Sequence, residues 1–389
     1  MNRGAMTLKI ALVRAFSLRV PLPEPYGWAR GRGAARETTL VQLVTDDGIE
    51  GWGECIGPPA VVQAAVIDFF APLVLGQNPL QTDPLWDKLW QAALPYGRRG
   101  VLIGALSGID MALWDLKGKV LGLPLSVLFG GRNRERIPCY VTGLYFREGP
   151  ESERVPRMLA EARYHIESGA RSLLVQIGRS LAADAALVKA LRKEFPDIPF
   201  AAEAHGAYDV PEATTIAKTL AEQGFTGFID PLAAEPVSAW PRLASQCRLP
   251  LVAGRYEQTR WAFEALLATQ AIGTFHVNLA WCGGPSEAHK IRTVASAHGV
   301  NVVPRSGGTA LNLAAALHFL ASDTHHPGRI ELRPPLLERE SLDQPLADVF
   351  HLAIEIEDGL AAVPTTPGLG VIVNQDALRA LATERELAL

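Results

Sequence analysis

Arg171-Ser-Leu-Leu-Val-Gln-Ile177 and, one helical stretch later, Phe200-Ala-Ala-Glu-Ala-His205 are short runs of strand character that carry a polar side chain near their end. Working outward from them, runs of the same kind recur at Ile137 to Tyr145, Gly227 to Pro231, Pro250 to Arg255, Thr274 to Leu279, Asn301 to Arg305 and Arg329 to Leu332. Their spacing of roughly 25 to 30 residues leaves a crossover helix in each interval, the pattern of a parallel sheet. Eight such units predict a closed (β/α) barrel.

A barrel takes about 250 residues. The chain has 389, so one further domain is expected. Lys9 to Leu18, Glu37 to Thr45 and Ile49 to Gly53, with the turn Asp46-Asp47-Gly48, read as an antiparallel sheet. From Val101 to Lys119, Leu102, Ile109, Leu113 and Leu116 recur at helical spacing until Gly122 and Pro124 end the pattern. That spacing predicts a helix with one buried face.

A net charge of -4 and a pI near 6.2 offer no broad basic field for a phosphate backbone, so a small molecule is expected as partner rather than nucleic acid. No apolar run reaches the roughly 20 residues that span a bilayer. Met1 to Ala15 lacks the uninterrupted apolar segment of a signal peptide, and a cytoplasmic protein without membrane contact is expected. Cys55, Cys139, Cys247 and Cys282 form no C-x-x-C pair, which argues against a zinc knuckle or a dithiol motif and for free thiols.

In a barrel of this kind the site lies at the C-terminal ends of the strands. Tyr145, Gln176, Glu203, His205, Asp230, Arg255, Asn278, Arg305 and Glu331 occupy those ends, a concentration of polar groups that points to a site.

The stretch Ala105-Leu-Ser-Gly-Ile-Asp110-Met-Ala-Leu-Trp114-Asp115-Leu-Lys-Gly118-Lys119, with Gly122-Leu-Pro124-Leu and Leu128-Phe-Gly130-Gly131 after it, resembles the signature of the mandelate racemase and muconate lactonizing enzyme group of the enolase superfamily. Gly51-Trp-Gly53-Glu54, Cys282-Gly283-Gly284, Glu357-Asp358-Gly359 and Pro367-Gly368-Leu369-Gly370 extend the resemblance over essentially the whole chain. It implies a modified (β/α)7β TIM-like barrel under an α+β capping domain built from both chain ends. The expected divisions are 1–135 for the cap, 136–345 for the barrel and 346–389 for the segment that completes the cap. It also implies a homo-oligomer, and a reaction in which a base takes the proton α to a carboxylate while Mg2+, held by three acids, stabilises the enediolate.

Position by position, this chain departs from that pattern. The K-x-K base position reads Leu174-Val175-Gln176, and neither Leu nor Gln takes up a proton near neutral pH; Gln176 is expected to bind substrate or to be structural. The metal-ligand positions read Glu203, Asp230 and Arg255. A guanidinium at the third opposes the ion and supplies no acceptor, so a site without cofactor is expected, with Mg2+ as the alternative and Glu257 as a possible substitute ligand. The His-Asp dyad is replaced by Arg305 and Asn278, which closes a second route to the α-proton.

Glu203-Ala204-His205 resembles the D-x-H arrangement of acid-sugar dehydratases in the family, which implies that His205 transfers protons near pH 7. Glu331 matches a position that places an acid near the substrate carboxylate, or else pairs with Arg305 or Arg333. Tyr145 and Asn278 are expected to contact substrate. His325-His326 read as a solvated turn, Arg98-Arg99 as a solvated helix end, and Pro21 to Arg36 as a cap loop that governs specificity.

The activity expected is an acid-sugar dehydratase-like lyase on a small carboxylate, with arginine in place of the metal. The alternatives are a catalytically silent scaffold or ligand-binding protein, and a Mg2+-dependent racemase or dehydratase with unusual ligands.

Overall fold

Glycines at 51 and 53 explain how the cap closes. A Cβ on either would run into the carbonyl oxygens of Ala112 and Gly108, so the helix Val101–Leu121 lies directly on strand β3 (Glu50–Cys55). Strands β1 (Ile10–Trp28) and β2 (Gly31–Thr45) pair antiparallel, and β2 pairs with β3. These features belong to a computed structural model that describes residues 8–235, 237–324, 337–340, 346–351, 354 and 356–389.

The helix ends at Gly122, whose φ of 68° is left-handed, as its stop signal predicts. The expected single buried face is too narrow, because every residue from Ile103 to Leu113 is buried. One side meets the cap sheet, and the other meets the barrel through Asp110, whose carboxylate accepts from Ser286 N at 2.8 Å.

The barrel strands are β4 (Arg136–Thr142), β5 (Leu173–Gln176), β6 (Phe200–Glu203), β7 (Phe228–Ile229), β8 (Leu251–Ala253), β9 (Thr274–Asn278) and β10 (Asn301–Arg305). Each pairs in parallel with the next, and helices cross between them. The eighth parallel strand is β11 (Leu337–Glu340), beside β4. The run expected for it, Arg329 to Leu332, lies outside the described residues, as do Glu331, His325 and His326.

The C-terminal chain returns to both sheets. Leu360–Ala362 pairs antiparallel with β4, and Ala382–Ala388 adds an antiparallel strand beside β1. Among the described residues no helix is long and apolar enough to cross a membrane.

Candidate functional site

Inward side chains of the barrel form an apolar layer of Tyr140, Leu174, Ile229 and Val252, packed against Ala201 and Val303. Strand alternation then brings the residues two positions on, Gln176, Glu203 and Arg305, to the mouth. Asp230 and Arg255 break this parity. Asp230 follows Ile229 directly and takes a left-handed φ of 42°. Arg255 follows Gly254, whose φ is 116° and whose added Cβ would lie 3.0 Å from His276 O. Left-handed φ at non-glycine residues, as at Asp230 and at His205 with 50°, is strain characteristic of sites.

Glu203 is the hub. Its Oε1 accepts from Arg305 Nη1 at 2.6 Å and from Arg255 Nη1 at 2.9 Å, and its Oε2 accepts from Gln176 Nε2 at 3.0 Å. His205 Nε2 lies 2.6 Å from Gln176 Oε1. That amide oxygen can only accept, so the network assigns the imidazole hydrogen to Nε2 and a lone pair to Nδ1. Among the described residues, His205 Nδ1 has no hydrogen-bond partner, and neither has Asp230 Oδ2.

The electrostatics follow from burial and from the two guanidinium groups. Burial pushes the Glu203 carboxyl up, but Arg305, His205, Arg255 and the Gln176 hydrogen bond together outweigh it and hold the group well below the usual carboxylate range. Burial lowers His205 to about 3, with Arg255 and Arg305 adding to the effect against Glu203. The expectation that His205 titrates near pH 7 is therefore corrected. The group that sits near neutrality is Asp230, raised to about 7 by burial and by the negative charge of Glu203.

The cap closes over this floor. Pro21 to Arg36 forms the tip of the β1–β2 hairpin, and Gly27 exchanges two backbone hydrogen bonds with Phe146 at 2.7 and 2.8 Å. The Trp28 ring lies 5.9 Å from that of His205, which is only 1% exposed. Tyr26 packs edge-on against Tyr145 at 4.8 Å. Between cap and barrel lies a cavity of about 440 Å3, lined among others by Trp28, Tyr145, Arg255, Asn278, Trp281 and Arg305.

Among the other expected residues, Asn278 reaches the cavity, but its Oδ1 is engaged by Ala280 N at 2.9 Å and Asn312 Nδ2 at 3.2 Å. Glu257 does not turn toward Glu203; its Oε2 lies 3.3 Å from Arg99, which also meets Glu235 at 3.4 Å. Arg99 is thus a seam residue rather than a purely solvated helix end.

One residue escaped sequence reasoning. His276 is buried in β9, with Nδ1 3.5 Å from Arg305 Nη1 and its ring parallel to Tyr140. A period-two reading back from Asn278 would have found it. Trp28 belongs to the cap loop expected to govern specificity, but its place beside His205 follows only from the hairpin's tertiary path.

Residues 11–130 match the family described as mandelate racemase / muconate lactonizing enzyme, N-terminal domain, and residues 157–377 match the enolase C-terminal domain-like family. The chain belongs to the mandelate racemase / muconate lactonizing enzyme group of the enolase superfamily. It is 35% identical over 373 residues to the D-galactarolactone cycloisomerase of Agrobacterium fabrum, covering 95% of this chain and 98% of that protein. It is 30% identical over 343 residues to the arabinonate dehydratase of Saccharolobus solfataricus, covering 87% of this chain and 88% of that one. The crystal structure of the 3,6-anhydro-D-galactonate cycloisomerase from Zobellia galactanivorans superposes with a TM-score of 0.87 at 30% identity, covering 96% of this chain and 99% of that one. The modified barrel with a capping domain is the architecture of this group.

The family's Mg2+ seeks octahedral oxygen coordination. Here Glu203 Oε1 is occupied by two guanidinium groups, at 2.9 and 2.6 Å, and Asp230 Oδ2 is an acceptor without a partner among the described residues. Among the described residues no group of three His, Cys, Asp or Glu side chains could hold a metal ion. The side chains at these three positions do not fit Mg2+.

Proposed function

We propose that this protein acts on a small acid-sugar carboxylate without Mg2+, and that the guanidinium groups of Arg255 and Arg305 supply the positive charge at the ion's place. The observation that carries this reading is that both groups line the cavity and converge on the buried Glu203 Oε1. Among the described residues Arg255 makes no other hydrogen bond, so its remaining N–H groups are available to a carboxylate, which guanidinium binds in two-pronged fashion. The relatives named above support the substrate class, being a cycloisomerase of a sugar-acid lactone and a dehydratase of a sugar acid.

The reaction proposed is β-elimination of water. The proton α to the carboxylate passes to His205 Nδ1, the two guanidinium groups stabilise the enediolate charge that develops, and the imidazolium returns the proton to the β-hydroxyl, which departs as water. His205 offers its Nδ1 lone pair for the proton, once Trp28 moves off the ring. Tyr145 lines the approach, and Gln176, buried beneath it, holds the imidazole orientation through its Oε1.

A second reading has its own support. Glu203 is satisfied by its neighbours and His205 is sealed, as a catalytically silent scaffold would allow.

The test is a screen of aldonates, aldarates and their lactones on metal-stripped protein, with and without added Mg2+, beside a calorimetric Mg2+ titration. Turnover that survives chelation supports the proposal. Turnover that requires Mg2+ assigns the metal-dependent alternative, and neither turnover nor ligand binding assigns the scaffold. His205→Asn should abolish turnover while ligand affinity changes by only a small factor; retained turnover removes His205 from the chemistry.

A further inference from the structure

Glu54 is a cap residue with no exposed surface; burial raises its carboxyl, against the hydrogen bonds from Thr309, Thr38 and Asn312 that favour the ionised form. It is the penultimate residue of β3, yet its carboxylate is bonded across the domain seam. Both oxygens accept from Thr309 N, at 3.0 and 2.9 Å, and Oε2 also accepts from Thr309 Oγ1 at 2.6 Å and Asn312 N at 3.3 Å. Thr38 Oγ1 donates to Oε1 at 2.9 Å from within the cap. A carboxylate at the first turn of the helix Ala310–Ala321 meets unpaired N–H groups and the positive end of the helix dipole. The loop is shaped to receive it. Gly308 has a φ of 147°, and a Cβ there would lie 2.7 Å from Glu54 Oε1.

From this anchor a continuous chain leads to the site. Asn312, held through its backbone N–H by Glu54, donates from Nδ2 to Arg305 O at 3.3 Å, Gly307 O at 3.4 Å and Asn278 Oδ1 at 3.2 Å. Arg305 ends β10 at the near end of this same loop, and its guanidinium meets Glu203 at 2.6 Å. The carboxylate thus fixes the loop that fixes the backbone from which Arg305 projects.

We propose that Glu54 is a positioning residue, by which the cap sets the Arg305 guanidinium over Glu203. Its part in turnover rests on the reading of Arg305 as an anion-binding group; the geometric coupling does not. A cap that docks incompletely leaves Arg305 unplaced, so the site is assembled only in the closed two-domain protein.

Glu54→Gln tests this. The amide keeps the shape but turns an NH2 group toward the N–H of Thr309, donor against donor. The crystal structure of the variant should show the 305–309 loop shifted and the Arg305–Glu203 contact broken. For the acid sugar that the wild type turns over best, kcat/KM should fall by about tenfold or more, the scale set by hydrogen bonds to a charged group. Gln258→Ala is the control, because Gln258 ties the barrel to the cap elsewhere, through Gly100 and Trp281 O. It should lower the melting temperature and leave kcat/KM within about twofold, because this buried link shares no partner with the chain of contacts from Glu54 to Arg305. An unmoved Arg305 in Glu54→Gln, or equal losses of kcat/KM in both variants, overturns the proposal. If Glu54→Gln does not fold, Asn312→Ala cuts the same chain one link later and is read by the same contact. If the wild type turns over no acid sugar, the functional reading fails, while the crystallographic result still decides the coupling.

Discussion

At the residue scale, the site is governed by how much charge a closed barrel mouth tolerates. Glu203 stays ionised because two guanidinium groups touch it, whereas Asp230, one strand further round, lies under the same field with an oxygen left unbonded. Its carboxyl is raised from 3.8 to about 7, chiefly by burial. Folding therefore favours the protonated form. That contribution is whole below pH ~4 and is lost as pH rises through 7, amounting to about 4 kcal/mol at most. Asp230→Asn keeps a neutral amide there. Its melting temperature should fall less than that of the wild type between pH 5 and 8.5, and parallel curves would show that Asp230 ionises freely. Asp230 was legible in the sequence as a strand-end acid, but its changed ionisation was not, because that depends on Glu203 and both arginines arriving from other strands.

At the element scale, the β1–β2 hairpin is the part of the cap that reaches deepest. Sequence alone marks Pro21 to Arg36 as a cap loop that governs specificity, rich in arginine and aromatic residues. The structure makes it a paired hairpin tip that covers His205 with Trp28. Burial is the chief cause that lowers the imidazole from 6.5 to about 3. Trp28→Ala should admit water and let the His205 pKa climb from about 3 toward its ordinary range. An NMR titration of the ring Cε1–H reads this, and an unchanged value would mean that the barrel, not the hairpin, desolvates the ring.

At the scale of the whole molecule, the two ends of the chain meet in one sheet. Ala382–Ala388 runs beside β1 from Leu18 to Leu12, and Gln63 Nε2 joins them by donating to Ala15 O at 2.8 Å and Thr383 O at 2.5 Å. Most side chains of that terminal strand are at least partly exposed, so its contribution is mainly the backbone ladder. Ending the chain after Leu381 should lower stability by roughly 3 kcal/mol, at about 0.5–1.5 kcal/mol for each hydrogen bond lost. An unchanged urea midpoint would show that the cap holds without this strand. The same wrapping makes the seam short-range enough for a cap carboxylate, Glu54, to bond a barrel loop.

The sequence by itself determined the layers of this protein: strand and helix periodicity set the parallel barrel, Gly122 set the end of the long helix, and strand ends carried Gln176, Glu203 and Arg305 to one mouth, because these follow from local geometry with periods of two and 3.6 residues. It also showed that the family's bases and third acid are replaced, which is a matter of residue identity alone. Only the tertiary structure decided which of these groups touch. Arg255 and Arg305 stand 50 residues apart in the chain yet share one oxygen of Glu203, His276 enters from a third strand, and Trp28 seals His205 from another domain. Contacts and ionisation states of this kind depend on distances between elements distant in sequence and on the exclusion of water between them, and neither is written in any one stretch of chain.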